Sequence, residues 1–372
     1  MSSLHQPVGR RQFVSGALGL GAAMGSRSWL ARSLAVVAGT TATLTSGDSL
    51  AAWNAAPPAG FVPFRVPGKV VKITRGNDYA SLMQKNELWP KAEVAKMMLE
   101  RALMEFTGAP NMVDAVGRFI HKDDKVAIKV NGIAGQHGYT VAVNFELILP
   151  LVEALITLGV PAPNIHLFEQ FPDFLKGTRI GVDGYDLPAG VVTSFHGNFR
   201  TKMPEVAIYQ NIKTRFVTAV TDATAIIDMT MMKDHSICGF TGALKNMTHG
   251  QIVNPHKHHA HLCSPQIPVL YNHPVLQSRV RLHITDAFKI IYDGGPLDKL
   301  PDRRLPHGAV YVATDPVALD RIGIDVIEAA RKSNGLPSLA KVGREPSYVN
   351  IASDMGIGIA DLNRIRLQHV AL

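Results

Sequence analysis

From residue 69 onward, apolar runs of four to eight residues alternate with stretches whose apolar positions recur every three or four residues. "KVVKITR" (69–75) predicts a first strand. "KAEVAKMMLERALMEFTG" predicts a helix stopped at Gly108. "DDKVAIKVN" (123–131) predicts a second strand, "NFELILPLVEALITLG" a helix from an Asn cap at Asn144 to Gly159, and "NIHLFEQ" a third strand. Strand–helix–strand order of this kind favours a parallel sheet covered by helices.

The middle, about Pro172 to Lys213, is rich in Gly, Pro and short β-like pieces such as "GVVTSFHG", and reads as a loop-rich insertion or small hairpin. Beyond it "ATAIIDMTMM" (223–232), "RLHITDAF" (281–288) and "GAVYVAT" (308–314) predict buried strands, the last running through a turn with Pro316 into a long helix, and "NRIRLQHVAL" ends the chain with a strand-like piece. The expected fold class is α/β, a mostly parallel sheet flanked by helices with a loop-rich insertion. The expected organisation is a leader over 1–52, a Pro-rich spacer over 53–68 and an α/β domain over 69–365, as one body or as two lobes meeting near 172–220.

In open α/β sheets, ligands bind outside the carboxyl ends of the strands. Those ends carry a dense polar set. Lys129 and Asn131 close the second strand, Glu169 the third, and Asp286 the fifth; Lys233, Asp234 and His235 follow the fourth; Thr314 and Asp315 close the sixth. In "MMKDHSICGFTGALKNMTHG", Gly239 and Gly242 allow a tight turn into a helix whose free N–H groups suit a carboxylate or phosphate, with Lys245 one turn further in. The Walker pattern is absent.

"KDHSICGFTGALKNMTHG" resembles the Lys-x-His … Thr-Gly-x-x-Lys-Asn … Gly signature of the domain-of-unknown-function family numbered 362, and "ITDAFKIIYDGGP" and "VATDPVALDRIG" resemble its later elements in the same order. The resemblance runs from about Val70 to Asp361. It marks Lys233, His235, Thr241, Gly242, Lys245, Asn246, Gly250, Asp286, Asp315 and Asp320. Some members of that family carry ferredoxin-like cysteine clusters. With two cysteines and no C-x-x-C here, an iron–sulfur cluster is not expected.

"NPHKHHAHLC" (254–263) places His256, His258, His259 and His261 beside Cys263, just after His249. Neither an extended nor a helical backbone brings all four histidines to one point. Two of them with His235 or His249 and an Asp would suit zinc, iron, nickel or copper. The metal set therefore draws on His249, His256, His258, His259, His261 and Asp286, the anion set on Lys129, Gly239, Thr241, Gly242, Lys245 and Asn246, and the acid–base set on Lys233, His235 and Asp315. Cys238 and Cys263 could pair, ligate or lie inert, and Cys238 with His235 is a further nucleophile pair.

A formal charge of +8 changes this little, since residues 1–52 carry +3 and leave +5 for the rest. No Lys/Arg run interleaves with aromatics, so a nucleic-acid partner is not expected. "GRRQFVSGALGLGAAMG", with Arg10 and Arg11, resembles a twin-arginine export signal. Gly19, Gly21 and Gly25 lack the spacing and preceding strand of a dinucleotide loop. The apolar core is too short to span a bilayer stably, so a membrane association would need a retained leader. The sequence thus predicts a periplasmic or otherwise exported protein that engages the twin-arginine translocase. Its predicted function is a metal-dependent enzyme, hydrolase or oxidoreductase, acting on a small anionic ligand. The alternatives are a metal-delivery protein without turnover or an accessory of an exported redox complex.

Overall fold

The computed structural model describes residues 53–76, 78–133, 141–297 and 300–372. The leader expected over 1–52 lies outside the described residues, and the described residues from Trp53 to Leu372 belong to one compact unit.

Among the described residues the main sheet has nine strands. They are β1 (Lys69–Thr74), β2 (Val126–Lys129), β3 (Ile165–Glu169), β4 (Val192–Phe195), β7 (Ala225–His235), β8 (Gly239–Thr241), β9 (Val280–Ile291), β10 (Arg304–Ala313) and β11 (Arg366–Ala371). A separate hairpin pairs β5 (Val206–Tyr209) with β6 (Ile212–Thr214). The order is β11-β1-β10-β9-β7-β2-β3-β4, with β8 folded back on β7. Five pairings are parallel (β1–β11, β2–β3, β2–β7, β3–β4 and β7–β9), and those of β10 with its neighbours and of β8 with β7 are antiparallel. The α/β, mostly parallel fold class is thus the observed one.

The central strands are buried along nearly their whole length because helices cover both faces. On one face lie α1 (Ala92–Thr107) and α2 (Phe145–Leu158). Helix α1 presents Val94, Met98, Leu99, Ala102, Leu103 and Phe106 at helical spacing to the core, where it packs on β1 and β10, the strands of Val71, Ile73, Val310 and Val312. Gly108 ends it in the left-handed conformation that favours glycine. Asn144 stands at the N-cap of α2, but its side chain does not cap the helix; its amide donates to Asp286 at 2.8 Å. The opposite face, reached by the residues between those apolar ones, holds α3 (Ala243–His249) and α4 (Pro316–Ser333).

Three expectations change. "VTSF" belongs to the main sheet as edge strand β4, parallel to β3. Lys233, Asp234 and His235 lie within β7, which is buried along its whole length, and not in a loop after it. Asp286 lies inside β9, not at its end. The strand-like end of the chain is β11, which pairs with β1 over Lys69–Thr74. Among the described residues no helix is long and apolar enough to cross a membrane.

Candidate functional site

A cavity of about 510 Å³ opens at the carboxyl ends of β2, β3 and β7. Lys129, Asn131, Glu169, His235, Thr241, Lys245, Asn246, His249, His256 and His259 all contribute to its lining.

The register explains the floor. Lys129 of β2 pairs with Asp228 of β7, and Asp228 with His283 of β9, so three neighbouring strands set a polar row on one face. Asn246 of α3 bridges this row. Its Oδ1 accepts from Lys129 Nζ at 3.2 Å and from Asn131 Nδ2 at 3.1 Å, while its Nδ2 donates to Asp228 Oδ1 at 2.6 Å. Asp228 Oδ2 meets His283 Nδ1 at 2.8 Å, and His283 Nε2 meets the Tyr271 hydroxyl at 3.0 Å. Burial pushes the Asp228 carboxyl up. Lys129 is neutralised by Glu169 at 2.9 Å, and Glu169 also accepts from Gly132 N at 3.0 Å. Gly250 makes room for this lysine: a Cβ there would lie 2.5 Å from Lys129 Cε.

The histidines have defined tautomers, because each gives one ring nitrogen to the backbone. His235 Nδ1 accepts from the N–H groups of Ile237 at 3.1 Å and Cys238 at 3.3 Å, which leaves its proton on Nε2. His249 Nε2 donates to the His258 carbonyl at 3.0 Å. His259 Nδ1 donates to the Pro255 carbonyl at 2.9 Å, so its Nε2 lone pair meets Lys245 Nζ at 3.3 Å. The rings of His235 and His259 stack at 5.5 Å, and those of His249 and His259 meet edge-on at 4.6 Å. Burial, then the Lys245 charge, pulls His235 and His249 far below the usual imidazole range and His259 to about 4. All three are neutral near pH 7.

One ligand atom each from His249, His259 and Cys263 lies within 4.8 Å of the other two. Ligand atoms around a tetrahedral zinc stand about 3.5 Å apart, so closure on an ion needs contraction by up to about an ångström. The donor set, two imidazoles and a thiol, suits zinc, copper, nickel or iron. Backbone carbonyls already orient both imidazoles, as outer partners of metal ligands do. Cys263 shares a hydrogen bond with Cys238 that lowers its thiol pKa, while burial raises that of Cys238.

The other expected residues go elsewhere. His256 is exposed at the cavity edge, and His261 is exposed with φ of 51°. The His258 ring is buried without a hydrogen-bond partner, and only its carbonyl touches the set. Asp286 holds the entry to α2, accepting from Asn144 N at 2.7 Å and Phe288 N at 3.2 Å. Asp315 caps α4 through Val317 N and Ala318 N and accepts from Gly68 N and Ile359 N. Lys233 donates to Asn131 Oδ1 beneath the cavity. The anion at the start of α3 is the chain's own: Asp320 accepts from Ala243 N at 2.6 Å and Leu244 N at 3.1 Å. Gly242 is required there because a Cβ would lie 2.2 Å from Asp320 Oδ1, whereas neither it nor Gly239 lines the cavity. Thr241 does, and its buried hydroxyl has no partner. Glu169, Asn131 and Cys263 were marked by sequence position, two at strand ends and one in the histidine stretch. The apolar residues Phe171 and Phe174 carried no such signal.

The sequence profile of a family described as Domain of unknown function (DUF362) matches residues 126–325. The chain belongs to this family. The matched span holds Lys129, Glu169, β7, α3 and the whole histidine stretch. No curated protein matches the chain. Among solved structures it is similar to the lactate racemase apoprotein from Thermoanaerobacterium thermosaccharolyticum, at 9% identity and a TM-score of 0.35 over 72% of this chain. The chain spans 60% of the length of that relative.

Proposed function

We propose that this DUF362 protein is an exported enzyme whose active site is the cavity at the ends of β2, β3 and β7. It would bind an anionic substrate at Lys245 and a divalent transition metal at His249, His259 and Cys263. One observation carries the reading: a buried ammonium without a carboxylate partner among the described residues shares a cavity with three neutral imidazoles. An isolated buried charge is expensive unless paired, and an incoming anion supplies the pair. His235 offers a neutral N–H donor, and Lys129, Asn131 and Asn246 form a fixed polar floor. A metal bound beside them would act as a Lewis acid or redox centre. The burial of His249 and Cys263, next to strand-end Lys and Asn groups, favours an enzyme over a delivery protein, which presents its ligands to a partner.

The test is elemental analysis of untagged, chelator-free protein, with His249→Ala and Cys263→Ser beside the wild type. Near one equivalent of one transition metal in the wild type, lost in both variants, is the expected result. Protein that takes up no metal after reconstitution overturns the metal assignment. Export through the twin-arginine route is tested by replacing Arg10 and Arg11 with Lys and following the protein's compartment; unchanged export rejects that route.

A further inference from the structure

Lys129, Glu169, Lys245, Asn246 and His249 are buried and form the floor of the cavity. The large apolar side chains of the lining, Ile133, Phe171, Phe174 and Ile237, are half-buried or exposed, with Ile237 40% exposed, and they form the mouth together with the half-buried or exposed Gln170, Asn198, His256 and His259. Phe171 and Phe174 meet edge-to-face at 5.2 Å, a pairing that fixes two rings as one apolar wall. Exposed apolar side chains around a polar pit mark a place where a ligand covers them.

The charge of the floor is equally specific. Glu169 pairs with Lys129 at 2.9 Å, whereas Lys245 has no carboxylate partner among the described residues. Lys245 is thus the ammonium of the described lining open to a ligand's anionic group, and a single ammonium matches a carboxylate better than a phosphate dianion. A cavity of about 510 Å³ also exceeds what a two-carbon acid fills and falls among sites for larger organic molecules.

We infer that the ligand is a monocarboxylate with an apolar, ring-sized body, its carboxylate on Lys245 at the floor and its body between Phe171, Phe174 and Ile237 at the mouth. This rests on the proposal that the cavity is the substrate site, and it narrows the anion to one class.

Titration calorimetry on the full chain tests it with four probes: 3-phenylpropionate, 3-phenylpropionamide, acetate and inorganic phosphate. Phenylpropionate should bind at least about tenfold tighter than the amide, which lacks the charge-assisted hydrogen bond. It should bind at least about tenfold tighter than acetate, which lacks the apolar body. Lys245→Met should erase the acid-over-amide ratio and leave amide binding unchanged. Phe174→Ala should erase most of the acid-over-acetate ratio and leave acetate unchanged. Lys245→Gln serves as a second variant if Lys245→Met does not retain the wild-type unfolding midpoint. Phosphate or acetate binding as tightly as phenylpropionate, an amide equal to the acid, or no saturable binding by any probe overturns the inference. Each titration is run on metal-loaded and chelator-treated protein. Selective acid binding by protein that takes up no metal would sink the metal assignment alone, and a bound metal without acid selectivity would sink this inference alone.

Discussion

The ammonium of Lys245 lies 3.3 Å from Nε2 of His259, the ring nitrogen that keeps its lone pair because Nδ1 is held by the Pro255 carbonyl. This lone pair is also what a metal at His249, His259 and Cys263 would need. Cation and metal therefore compete for one donor. Lys245→Met should tighten metal binding, at least about threefold if removing the nearby charge is worth as little as 0.7 kcal/mol, while it erases the preference for a carboxylate over its amide. Competition with a chromophoric chelator measures the first effect, and weaker metal binding in Lys245→Met would show that the lysine supports the metal site instead.

Metal uptake also has to displace the Cys263 thiol proton. Affinity should fall by up to about tenfold for each unit the pH is lowered below neutrality. Proton release on binding, measured in weakly buffered solution, should approach one per metal for the wild type and disappear with Cys263→Ser. Binding without proton release would exclude Cys263 as a thiolate ligand.

Asp320 joins α4 to the start of α3 by accepting two backbone N–H groups. Burial raises its carboxyl pKa well above the ordinary value, and the two donors oppose that shift. Asp320→Ala would strand both donors in a dry interior, at a cost of about 2–4 kcal/mol. Asp320→Asn, which keeps one acceptor, should cost less. Urea denaturation of the two variants gives the comparison, and equal, sub-kilocalorie losses would show that α3 is held by packing alone.

Buried neutral histidines set the acid limb of stability. Burial pulls His196, His273 and His307 down to about 4. A depressed folded pKa contributes stability that is complete above the ordinary value of 6.5 and is lost as pH falls from there toward 4. His196 alone, with Asn198 N donating to its Nδ1 and its Nε2 donating to Gly250, accounts for on the order of 3 kcal/mol over that window. Asp286, raised by burial to about 6, acts with the opposite sign and gives up stability as pH rises toward 6. Burial lowers His235, His249 and His259 as well, so the histidines outnumber the raised carboxyls of Asp228, Asp234, Asp286 and Asp320; the denaturation midpoint should fall between pH 7 and pH 5, and His196→Gln should flatten the fall. A midpoint that holds or rises over that range would refute the assignment.

The sheet was legible where strands are short apolar runs, largely buried, with few polar interruptions. β2, β3 and the core of β7 are of that kind. Edge strand β4 was not, since half of its residues are exposed and only its pairing with β3 makes it a strand. The placement of the site at strand ends was legible too, because Lys129, Glu169 and His235 close their strands. The roles of the aspartates were not. Asp315 before Pro316 carries the ordinary mark of a helix N-cap, yet Asp320 finds its partners 76 and 77 residues away, a distance no local pattern spans. The histidine stretch depended on backbone conformation: His261, Leu262 and Cys263 have φ of 51°, 58° and 61°. These left-handed residues accompany the return of Cys263 to His249 and His259, a conformation that side-chain propensities disfavour.

The sharpest test of the floor is Asn246→Asp. The amide nitrogen of Asn246 lies 2.6 Å from Asp228 Oδ1, with both residues buried. The substitution puts two carboxyl groups at hydrogen-bond distance, where they cannot both ionise, so the pair keeps a proton in the folded state that it loses on unfolding. A folded pKa raised in this way gives stability that is present at low pH and lost as pH rises through it. Lys129, 3.2 Å from the new carboxyl oxygen, would offset part of the cost. The variant should therefore lose about 2–4 kcal/mol at pH 8, and the loss should shrink at pH 5, where the wild type is itself weaker. Denaturation at the two pH values reads the sign directly. A loss that is equal at both would mean that the two side chains do not share a proton, and that Asn246 does not tie Lys129 to Asp228 as described.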